Sequence, residues 1–538
     1  MPDGRKLPLG NKLAEMTYNK FYPSEKYENE SLQLVSSMIN EKYGQEVLRE
    51  YFFETFDKLK PSQGLKSLPK FKWRNIYTTN IEQAIEIAYQ QEEERAQELL
   101  PVVGPLDSSS EDINVTVTLH KLHGCITRPD VKIVFSLEEY AEYKDAHLKL
   151  FNKLSVDLID RPVIFIGYSM IDSNFQDVWS TINKYCKTTS LPDRYFYVSP
   201  FIKDSLLSYL HNKNIHCIKM GIDELGEFLV NNSKGKRESL QNYYTKNAPP
   251  VELLSITNIS EKDKYEIGQD FVFPLLEIKK PAQVTTGFYK GAEPTWADIR
   301  NNLDGSRDML KILLDDFAGW ISKPNYQLWV ITGRAGDGKS TVLKRLSVEL
   351  SNRVGETVLF ANYRADLDPE RLITFQSEIG KPIVLLIDNI TDRMRKVSKL
   401  IHTIKSRKAK ILIIGASRTS DWHIVTQEVF LDNSKEYNLE KLSDAEIKEI
   451  LKKLQSNSAL ERLALVDEKA REEIFKKAAD RELLVALREA TSNRGFDDII
   501  ASEFAEIKSG TAQNAFLCIS MTHQFRYKMP QSLLFRMH

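Results

Sequence analysis

Two hydrophobic periodicities alternate along this chain and predict its secondary structure. Short, continuous apolar runs such as 163–166 and 383–387 predict buried strands. Stretches with apolar residues three and four positions apart, such as 342–350, predict amphipathic helices. Residues 1–60 have two apolar faces at helical spacing, which we interpret as core. Because strands and helices alternate over most of the length, the pattern predicts an α/β fold.

Three predicted strands in the first half end in polar residues. In parallel α/β sheets, ligands bind beyond the carboxyl ends of strands, so these residues are candidates for a binding site. Two alternatives stay open. Asn80 could be no more than a cap for the following helix, and His123 could be a structural residue, as an isolated histidine usually is. The candidates are Thr78, Thr79 and Asn80 after the first strand, His123 and Gly124 after the second, and Gly167, Ser169, Asp172 and Asn174 after the third.

Residues 333–340 match the phosphate-loop pattern G-x-x-x-x-G-K-[ST] and lie between a predicted strand and a predicted helix. Glycines let the backbone N–H groups turn toward an anion, and Lys339 supplies a charge to the outer phosphates. The Ser340 hydroxyl suits Mg²⁺. A chance match of a glycine-rich turn is the alternative. The predicted ATP contacts in this stretch are Gly333, Gly336, Asp337, Gly338, Lys339, Ser340 and Thr341.

Two later strand ends extend this predicted site. Asp388 follows the buried strand 383–387, where a carboxylate can hold the water shell of Mg²⁺ together with Ser340. Arg418 follows the next strand and could reach a γ-phosphate. The alternatives are an Asp that merely ends a strand and an ordinary solvated Arg.

Composition narrows the function further. The length of 538 residues suggests about three or four domains. A net charge of −1, from 74 basic and 75 acidic residues, gives no overall positive charge that would attract nucleic acid. No apolar run approaches the roughly 18 residues of a membrane span. The four cysteines are far apart and form no C-x-x-C pair, so we expect a cytoplasmic protein without a zinc site.

The strand-end residues of the first half resemble those of the sirtuin-like domain of bacterial antiviral proteins, over about residues 5–230. The resemblance implies a Rossmann-like NAD⁺ site in which Asn80 positions the ribose and water and His123 acts as the base. Glu82 stands where sirtuins usually carry Asp. The implied NAD⁺ contacts are Thr78, Thr79, Glu82, Gly124, Gly167, Ser169, Asp172 and Asn174.

This stretch departs from sirtuins in two ways. The paired zinc-binding cysteines of protein deacylases are missing, which favours NAD⁺ cleavage over deacylation. The family's first glycine-rich loop is expected before residues 3–16, where only Gly4 and Gly10 are available. We therefore expect either a trimmed start or a weakened affinity for NAD⁺.

The second half resembles the STAND NTPases, the signal-transducing relatives of AAA+ ATPases, over about residues 296–538. A capping box from Ser443 to Glu446 opens a helix of the lid type. Asn389 replaces the acidic residue that often follows the strand Asp, which affects hydrolysis more than binding. The end of the chain resembles the opening of a winged-helix segment, and we expect the sensor domain of such proteins to be missing from this chain.

Together these features predict a sirtuin-type domain (1–235), a connector (236–295), a STAND NTPase core (296–440) and a helical lid with the start of a winged-helix segment (441–538). The predicted function is an antiviral switch in which ATP and Mg²⁺ control NAD⁺ hydrolysis. We expect homo-oligomers on activation and a phage-derived trigger, without membrane or direct nucleic-acid binding. The alternatives are a regulatory scaffold with an inert sirtuin-like domain, or an NAD-dependent deacylase.

Overall fold

The computed structural model confirms the α/β class and divides the chain into two compact units, Met1–Lys246 and Asn247–His538. It describes residues 8, 10–56, 59–104, 106–107, 112–140, 148–168, 195–212, 214–233, 237–255, 257–281, 287–428, 434–478, 482–490, 501, 504–505, 507 and 509–524. Gly4 lies outside these residues, and Gly10 begins the first described helix. Within the described ranges, no helix is long and apolar enough to cross a membrane.

The first unit alternates short strands with helices. Its elements are α1 (Gly10–Phe21), α2 (Leu32–Tyr43), α3 (Gln45–Phe56), α4 (Gln63–Ser67), β1 (Asn75–Thr78), α5 (Ala84–Gln91), β2 (Glu98–Val102), β3 (Thr116–Lys121), α6 (Leu148–Asp160), β4 (Val163–Ile166), β5 (Tyr195–Val198), α7 (Asp204–His211), β6 (Ile215–Ile218), α8 (Ile222–Asn232) and α9 (Leu240–Asn247), which crosses the unit boundary.

The strands of this unit form two parallel three-stranded sheets, in the orders β1-β3-β2 and β4-β5-β6. One hydrophobic cluster contains Leu122, just after β3, together with Phe165 of β4 and Tyr195 of β5. Helix α6 joins β1 through Asp157, whose carboxylate accepts hydrogen bonds from the Asn75 amide and the Tyr77 hydroxyl. The two sheets therefore share a core.

The apolar faces predicted within residues 1–60 are largely buried. Val35 and Ile39 of α2 and Phe52 of α3 are fully buried in one cluster with residues that flank the first strand ends, including Ile81 and Ile133. The interpretation of these faces as core is confirmed for this cluster. Leu34 and Val47 of the same faces are exposed.

The second unit has longer helices around one sheet. Its elements are α10 (Glu252–Ser255), α11 (Glu261–Asp270), β7 (Phe271–Val272), α12 (Pro274–Lys279), α13 (Trp296–Arg300), α14 (Asp308–Ser322), β8 (Gln327–Gly333), α15 (Lys339–Val354), β9 (Val358–Ala361), α16 (Pro369–Ile379), β10 (Ile383–Ile387), α17 (Met394–Arg407), β11 (Ile411–Arg418), α18 (Thr419–Glu428), β12 (Ser434–Asn438), α19 (Asp444–Ser456), α20 (Glu468–Glu473), α21 (Leu483–Ala490) and α22 (Gly510–Gln524).

Its six-stranded sheet has the order β12-β8-β11-β10-β9-β7. Strands β8 to β12 pair in parallel, and β7 pairs antiparallel with β9 at the edge. The central strands are apolar on both faces, as a sheet covered by helices on both sides requires, and separate clusters bury the two faces. Strand β11 lies between β8, which leads into the phosphate loop, and β10, which ends before Asp388.

The segment predicted as a connector, 236–295, contains helices and contributes strand β7. Phe271 and Phe273 are buried with Ile267 in the cluster that covers one face of the six-stranded sheet. These residues therefore belong to the core of the second unit. The boundary between the two units falls inside the same segment.

Candidate functional site

The phosphate loop, defined here as residues 333–340, connects the end of β8 to the start of α15. Gly333 is the last residue of the strand and Lys339 is the first residue of the helix. Gly336 and Gly338 have φ angles of +86° and +88°, in the left-handed region that favours glycine. This strand–loop–helix order directs the N-terminus of α15 toward the loop, as an anion site requires.

Both glycines also leave room for residues of helix α21. A Cβ atom at Gly336 would lie 2.7 Å from the Cβ of Leu484, and one at Gly338 would lie 3.0 Å from a Cδ of Leu483. The nearby Glu482 pairs with Arg334 of the loop at 2.6 Å. Helix α21 therefore packs directly on the phosphate loop.

The charged groups of the loop interact with its own backbone. The Asp337 carboxylate accepts a hydrogen bond from the Arg334 N–H, and the Lys339 ammonium donates to the Arg334 carbonyl. Burial lowers the pKa of Lys339, while Asp337 raises it and Arg418 lowers it further. Burial also raises the pKa of Asp337. The Asp337 side chain thus stabilises the backbone of the loop.

A cavity of about 360 Å³ opens beside the loop, within the size range of ligand pockets. The rest of its wall comes mainly from the segments before and after α13, from α19 and from α21, and includes Phe288, Pro294 and Leu487. Gly333, Asp337 and Asp388 are not part of its lining. Of the predicted ATP contacts, the cavity is lined by Gly336, Gly338, Lys339, Ser340, Thr341 and Arg418.

The sheet order explains why Arg418 joins the phosphate loop. Arg418 is the register partner of Gly333 in the β11–β8 pair. On the other side of β11, Ile387 pairs with Gly415, so Asp388 follows at the same edge of the sheet. Both Arg418 and Asp388 act electrostatically on the Lys339 ammonium. The structure therefore gathers these three charges around one site.

Ser340 and Asp388 offer a donor set that fits Mg²⁺. Ser340 lines the cavity, and one Asp388 oxygen accepts a hydrogen bond from the Asn389 N–H at 2.9 Å. No other Asp388 hydrogen bond is observed among the described residues, which leaves acceptor positions for metal-bound water. One hydroxyl and one carboxylate suit a cation that keeps most of its waters.

In the first unit, Asn80 and His123 lie at equivalent positions after two neighbouring strands. Thr78 of β1 pairs with Lys121 of β3. Asn80 lies two residues after Thr78, and His123 lies two residues after Lys121. The loops stay together beyond the sheet, because the Leu122 N–H donates to the Thr78 carbonyl and the Ile126 N–H to the Ile81 carbonyl. The structure therefore brings the first two strand ends together.

Glu82 is buried and organises the first of these loops. Its carboxylate accepts hydrogen bonds from the Asn80 amide at 2.9 Å and from the N–H of Ala84, the first residue of α5. The acceptor at the start of α5 is therefore Glu82, so the alternative that Asn80 only caps this helix is wrong. Glu82 holds the exposed Asn80 side chain, and the Thr78 hydroxyl accepts from the Asn80 N–H.

His123 is only 5% exposed. Its Nδ1 lies 3.4 Å from the hydroxyl of Tyr140, and the two rings meet edge to face. The adjacent Gly124 has a φ of +84°, and a Cβ there would come within 2.6 Å of the Lys132 carbonyl oxygen. Close packing against residues 132 and 133 therefore requires a glycine at this position.

The third strand end is described only in part. Gly167 has a φ of +58°, and no atom of the described residues lies within 4 Å of a Cβ built at this position. Tyr168 packs against the cluster that contains Leu122. The other candidates of this strand end, Ser169, Asp172 and Asn174, lie outside the described residues. Across the described part of the chain, no group of three or more His, Cys, Asp or Glu side chains could hold a metal ion.

Comparisons with known proteins identify both halves. A model of the SIR2-like domain matches residues 74–218, and a model of the novel STAND NTPase 5 matches residues 286–429. The chain therefore carries an N-terminal SIR2-like domain followed by a STAND NTPase domain. A search of curated proteins gives no match.

Among solved structures, the chain is similar to the S. cerevisiae Hsp104:casein complex in its extended conformation, with 16% identity, coverage of 36% of this chain and 38% of that chain, and a TM-score of 0.27. It is also similar to the closed state of Hsp104 with ATPγS and FITC casein, with 15% identity, 39% and 40% coverage and a TM-score of 0.28. C. elegans PCH-2 matches with 18% identity, 41% and 65% coverage and a TM-score of 0.20. The chain spans less than two thirds of each, and these scores support no inference about function.

Sequence reasoning missed three residues that border the nucleotide cavity. Arg307 precedes α14 and contacts the phosphate loop, and Leu483 and Leu484 pack on its glycines. None of them belongs to a local motif with a fixed spacing to Lys339. For the two leucines, the sequence signal is the apolar periodicity of the helical lid, which does not indicate what the helix covers.

Proposed function

We propose that the STAND NTPase domain binds ATP with Mg²⁺ and thereby controls NAD⁺ hydrolysis by the SIR2-like domain. In this proposal NAD⁺ is depleted during phage infection, after a phage-derived trigger releases the switch and the chains assemble into homo-oligomers. ATP binds with its phosphates against Lys339 and the N-terminus of α15. Ser340 and Asp388 hold Mg²⁺, and Arg418 contacts the γ-phosphate.

The observation that carries the NAD⁺ hydrolase assignment is the matched register of Asn80 and His123. An exposed amide, held by Glu82, and an imidazole follow two paired strands at the carboxyl edge of a parallel sheet. In the proposed reaction, Asn80 orients the ribose and the attacking water, and His123 accepts the proton. Histidine suits this role because its intrinsic pKa is near neutrality.

The remaining contacts of the proposed NAD⁺ site come from the three strand ends. The backbone of Thr78, Thr79, Gly124 and Gly167 can approach the dinucleotide closely, and Ser169, Asp172 and Asn174 supply polar groups. Glu82 acts here through Asn80, because its carboxylate is already used by Asn80 and Ala84.

The burial of His123 favours a second candidate function. A side chain that is only 5% exposed has little contact with solvent water. A regulatory scaffold that binds NAD⁺ without cleaving it is consistent with this arrangement. If the domain is the proposed NAD⁺ hydrolase, the buried His123 belongs to the resting state of the enzyme.

The test is nicotinamide release from NAD⁺ by the full chain with ATP and Mg²⁺. We expect Asn80→Ala and His123→Ala to lower the rate by about 10²–10⁴-fold, the usual contribution of a positioned acid or base. Both variants should bind ATP as the wild type does. His211→Ala, an exposed histidine of the same unit, is the matched control and should leave the rate unchanged.

Three outcomes distinguish the candidates. Release without any acylated peptide supports NAD⁺ hydrolysis. Release only when an acylated peptide is present and loses its acyl group would show a deacylase instead. NAD⁺ binding without any release would identify the scaffold, and a wild-type rate in His123→Ala would remove His123 from the mechanism.

A further inference from the structure

Arg307 makes three hydrogen bonds that join separate parts of the second unit. Its Nη1 donates to the Asp337 carbonyl of the phosphate loop at 2.8 Å. Its Nη2 donates to the Glu440 carbonyl at 2.8 Å, just beyond β12, and its Nε donates to the Glu446 carboxylate at 2.9 Å. Both partners of this ion pair are buried, with side chains 7% and 5% exposed.

Glu446 connects Arg307 to two helices. One carboxylate oxygen also accepts from the N–H of Asp308, the first residue of α14, at 2.8 Å. The other accepts from the Ser443 N–H at 2.9 Å and completes the capping box of α19. A negative charge at two helix N-termini is favourable, and this carboxylate has donors on both oxygens.

The contact with the Asp337 carbonyl fixes the direction of the next N–H group. The Asp337 carbonyl and the Gly338 N–H belong to one planar trans peptide, in which C=O and N–H point in opposite directions. Because the carbonyl points toward Arg307, the Gly338 N–H points away from Arg307. Gly338 can adopt the necessary φ of +88° because it lacks a Cβ.

We propose that Arg307 is a positioning residue that orients the Asp337–Gly338 peptide for the nucleotide phosphates and, through Glu446, couples the phosphate loop to lid helix α19. This inference rests on the proposed ATP binding and adds how that binding is transmitted. Phosphate contact with the Gly338 N–H stabilises the peptide orientation that Arg307 requires. Arg307 then holds Glu446 and the first turn of α19 in place.

Packing around the ion pair supports transmission to α19. A Cβ at Gly305, two residues before Arg307, would lie 2.9 Å from a side-chain carbon of Ile450. Ile450 and Lys453 of α19 also line the nucleotide cavity. The segment that carries Arg307 therefore contacts both the start and the middle of the lid helix.

The test measures ATP–Mg²⁺ affinity of the full chain by calorimetry for the wild type, Arg307→Lys, Glu446→Gln and the double variant. Lysine keeps the charge, but its single ammonium group cannot replace the three guanidinium nitrogens that contact separate acceptors, so we expect affinity on the order of tenfold weaker. Glu446→Gln should weaken binding as well. The double variant should bind no more weakly than Arg307→Lys, because both changes break the same contact between Arg307 and Glu446.

Arg371 and Asp270 provide the matched control. They form an ion pair of similar burial in the same unit, with side chains 11% and 15% exposed and Nη1 2.7 Å from the carboxylate, away from the phosphate loop. Arg371→Lys should leave ATP affinity unchanged. An Arg307→Lys variant that binds within about twofold of the wild type would overturn the proposal.

A second measurement uses hydrogen exchange, and its wild-type arm does not depend on how any variant folds. Adding ATP–Mg²⁺ to the wild type should increase the protection of amides in residues 444–456, and Arg371→Lys should behave in the same way. Arg307→Lys should lose this increase. Unchanged protection in the wild type would overturn the coupling, whereas failure of the wild type to bind ATP at all would instead remove the proposed function.

Discussion

At the scale of single residues, the second unit concentrates opposite charges around Lys339. Its ammonium donates to a backbone carbonyl of the loop, and Arg418 and Asp388 act on it from the neighbouring strand ends. An incoming polyphosphate would replace the carbonyl contact with a stronger, charge-assisted one. Lys339 is therefore the residue whose protonation should control ATP affinity.

This arrangement predicts a pH dependence. Burial lowers the pKa of Lys339 below its usual 10.5, so the charge is lost as the pH rises through the lowered pKa. ATP affinity should fall on the alkaline side earlier than an ordinary lysine would allow. Lys339→Arg keeps its charge throughout and should give a flatter profile, whatever its affinity at neutral pH.

Calorimetry of ATP binding across the alkaline range checks this prediction. Lys311→Ala, an exposed lysine on α14, is the control and should follow the wild-type profile. The linkage has the opposite sign for folding: because the folded-state pKa is lowered, deprotonation of Lys339 favours the folded state as the pH rises toward 10.5. A wild-type affinity that stays constant up to the titration of a normal lysine would contradict the account.

The identity of the central loop residues could be predicted because they are consecutive in the sequence. The match from Gly333 to Ser340 needs no tertiary information, and the strand-end rule placed Asn80 near His123. Arg307 and Glu446 could not be found in this way, because their contact spans 139 residues. An arginine before a helix has no signature that distinguishes a buried ion pair from a solvated side chain.

At the scale of elements, helix α21 covers the phosphate loop because the loop's glycines leave space for its leucines. The contacts of Leu483 and Leu484 with Gly338 and Gly336 are closer than a side chain at either glycine would permit. Because α21 packs on the loop in this way, it must move, or adjust its side chains, when the loop changes conformation.

Gly336→Ala therefore combines two costs. The residue must keep a left-handed φ of +86°, which costs an alanine about 1–2 kcal/mol, and its Cβ collides with Leu484. We expect a lower free energy of unfolding for the second unit and weaker ATP binding. Gly319→Ala is the matched control: within the described part of the chain no atom lies within 4 Å of its Cβ position, leaving aside the backbone of its own helix, and in the interior of α14 alanine should be neutral or stabilising by up to about 1 kcal/mol.

Denaturant unfolding with and without ATP–Mg²⁺ compares the two variants, and the transition that shifts with ATP reports the second unit. Equal unfolding free energies for Gly336→Ala and Gly319→Ala would show that α21 does not pack on the loop in solution.

Elements differ in how well the sequence reveals them. The long apolar strands of the second unit and the amphipathic helices around them follow directly from periodicity. Strand β7 has only two residues and is defined by its pairing with β9. A segment this short has no hydrophobic periodicity from which a strand could be predicted. Strand β2 of the first unit contains Pro101 and mostly half-buried residues, a pattern that does not favour a strand.

At the scale of the whole molecule, two units with separate cores carry two different sites. The SIR2-like domain offers an amide and an imidazole at one sheet edge, and the STAND NTPase domain offers a phosphate loop, a serine and an aspartate that suit Mg²⁺, and a covering helix. A controlled enzyme requires that nucleotide in the second unit changes the activity of the first. Unequal nucleotide affinity of a resting and an active state would supply the energy for this control.

The most direct test of this claim is the rate of nicotinamide release from NAD⁺ by the full chain as ATP–Mg²⁺ is varied, in the wild type and in Lys339→Ala. The account predicts a wild-type rate that changes with ATP and a Lys339→Ala rate that does not, because the variant has lost the charge that binds the phosphates. Identical rates in both proteins at every ATP concentration, or no release from either, would contradict it.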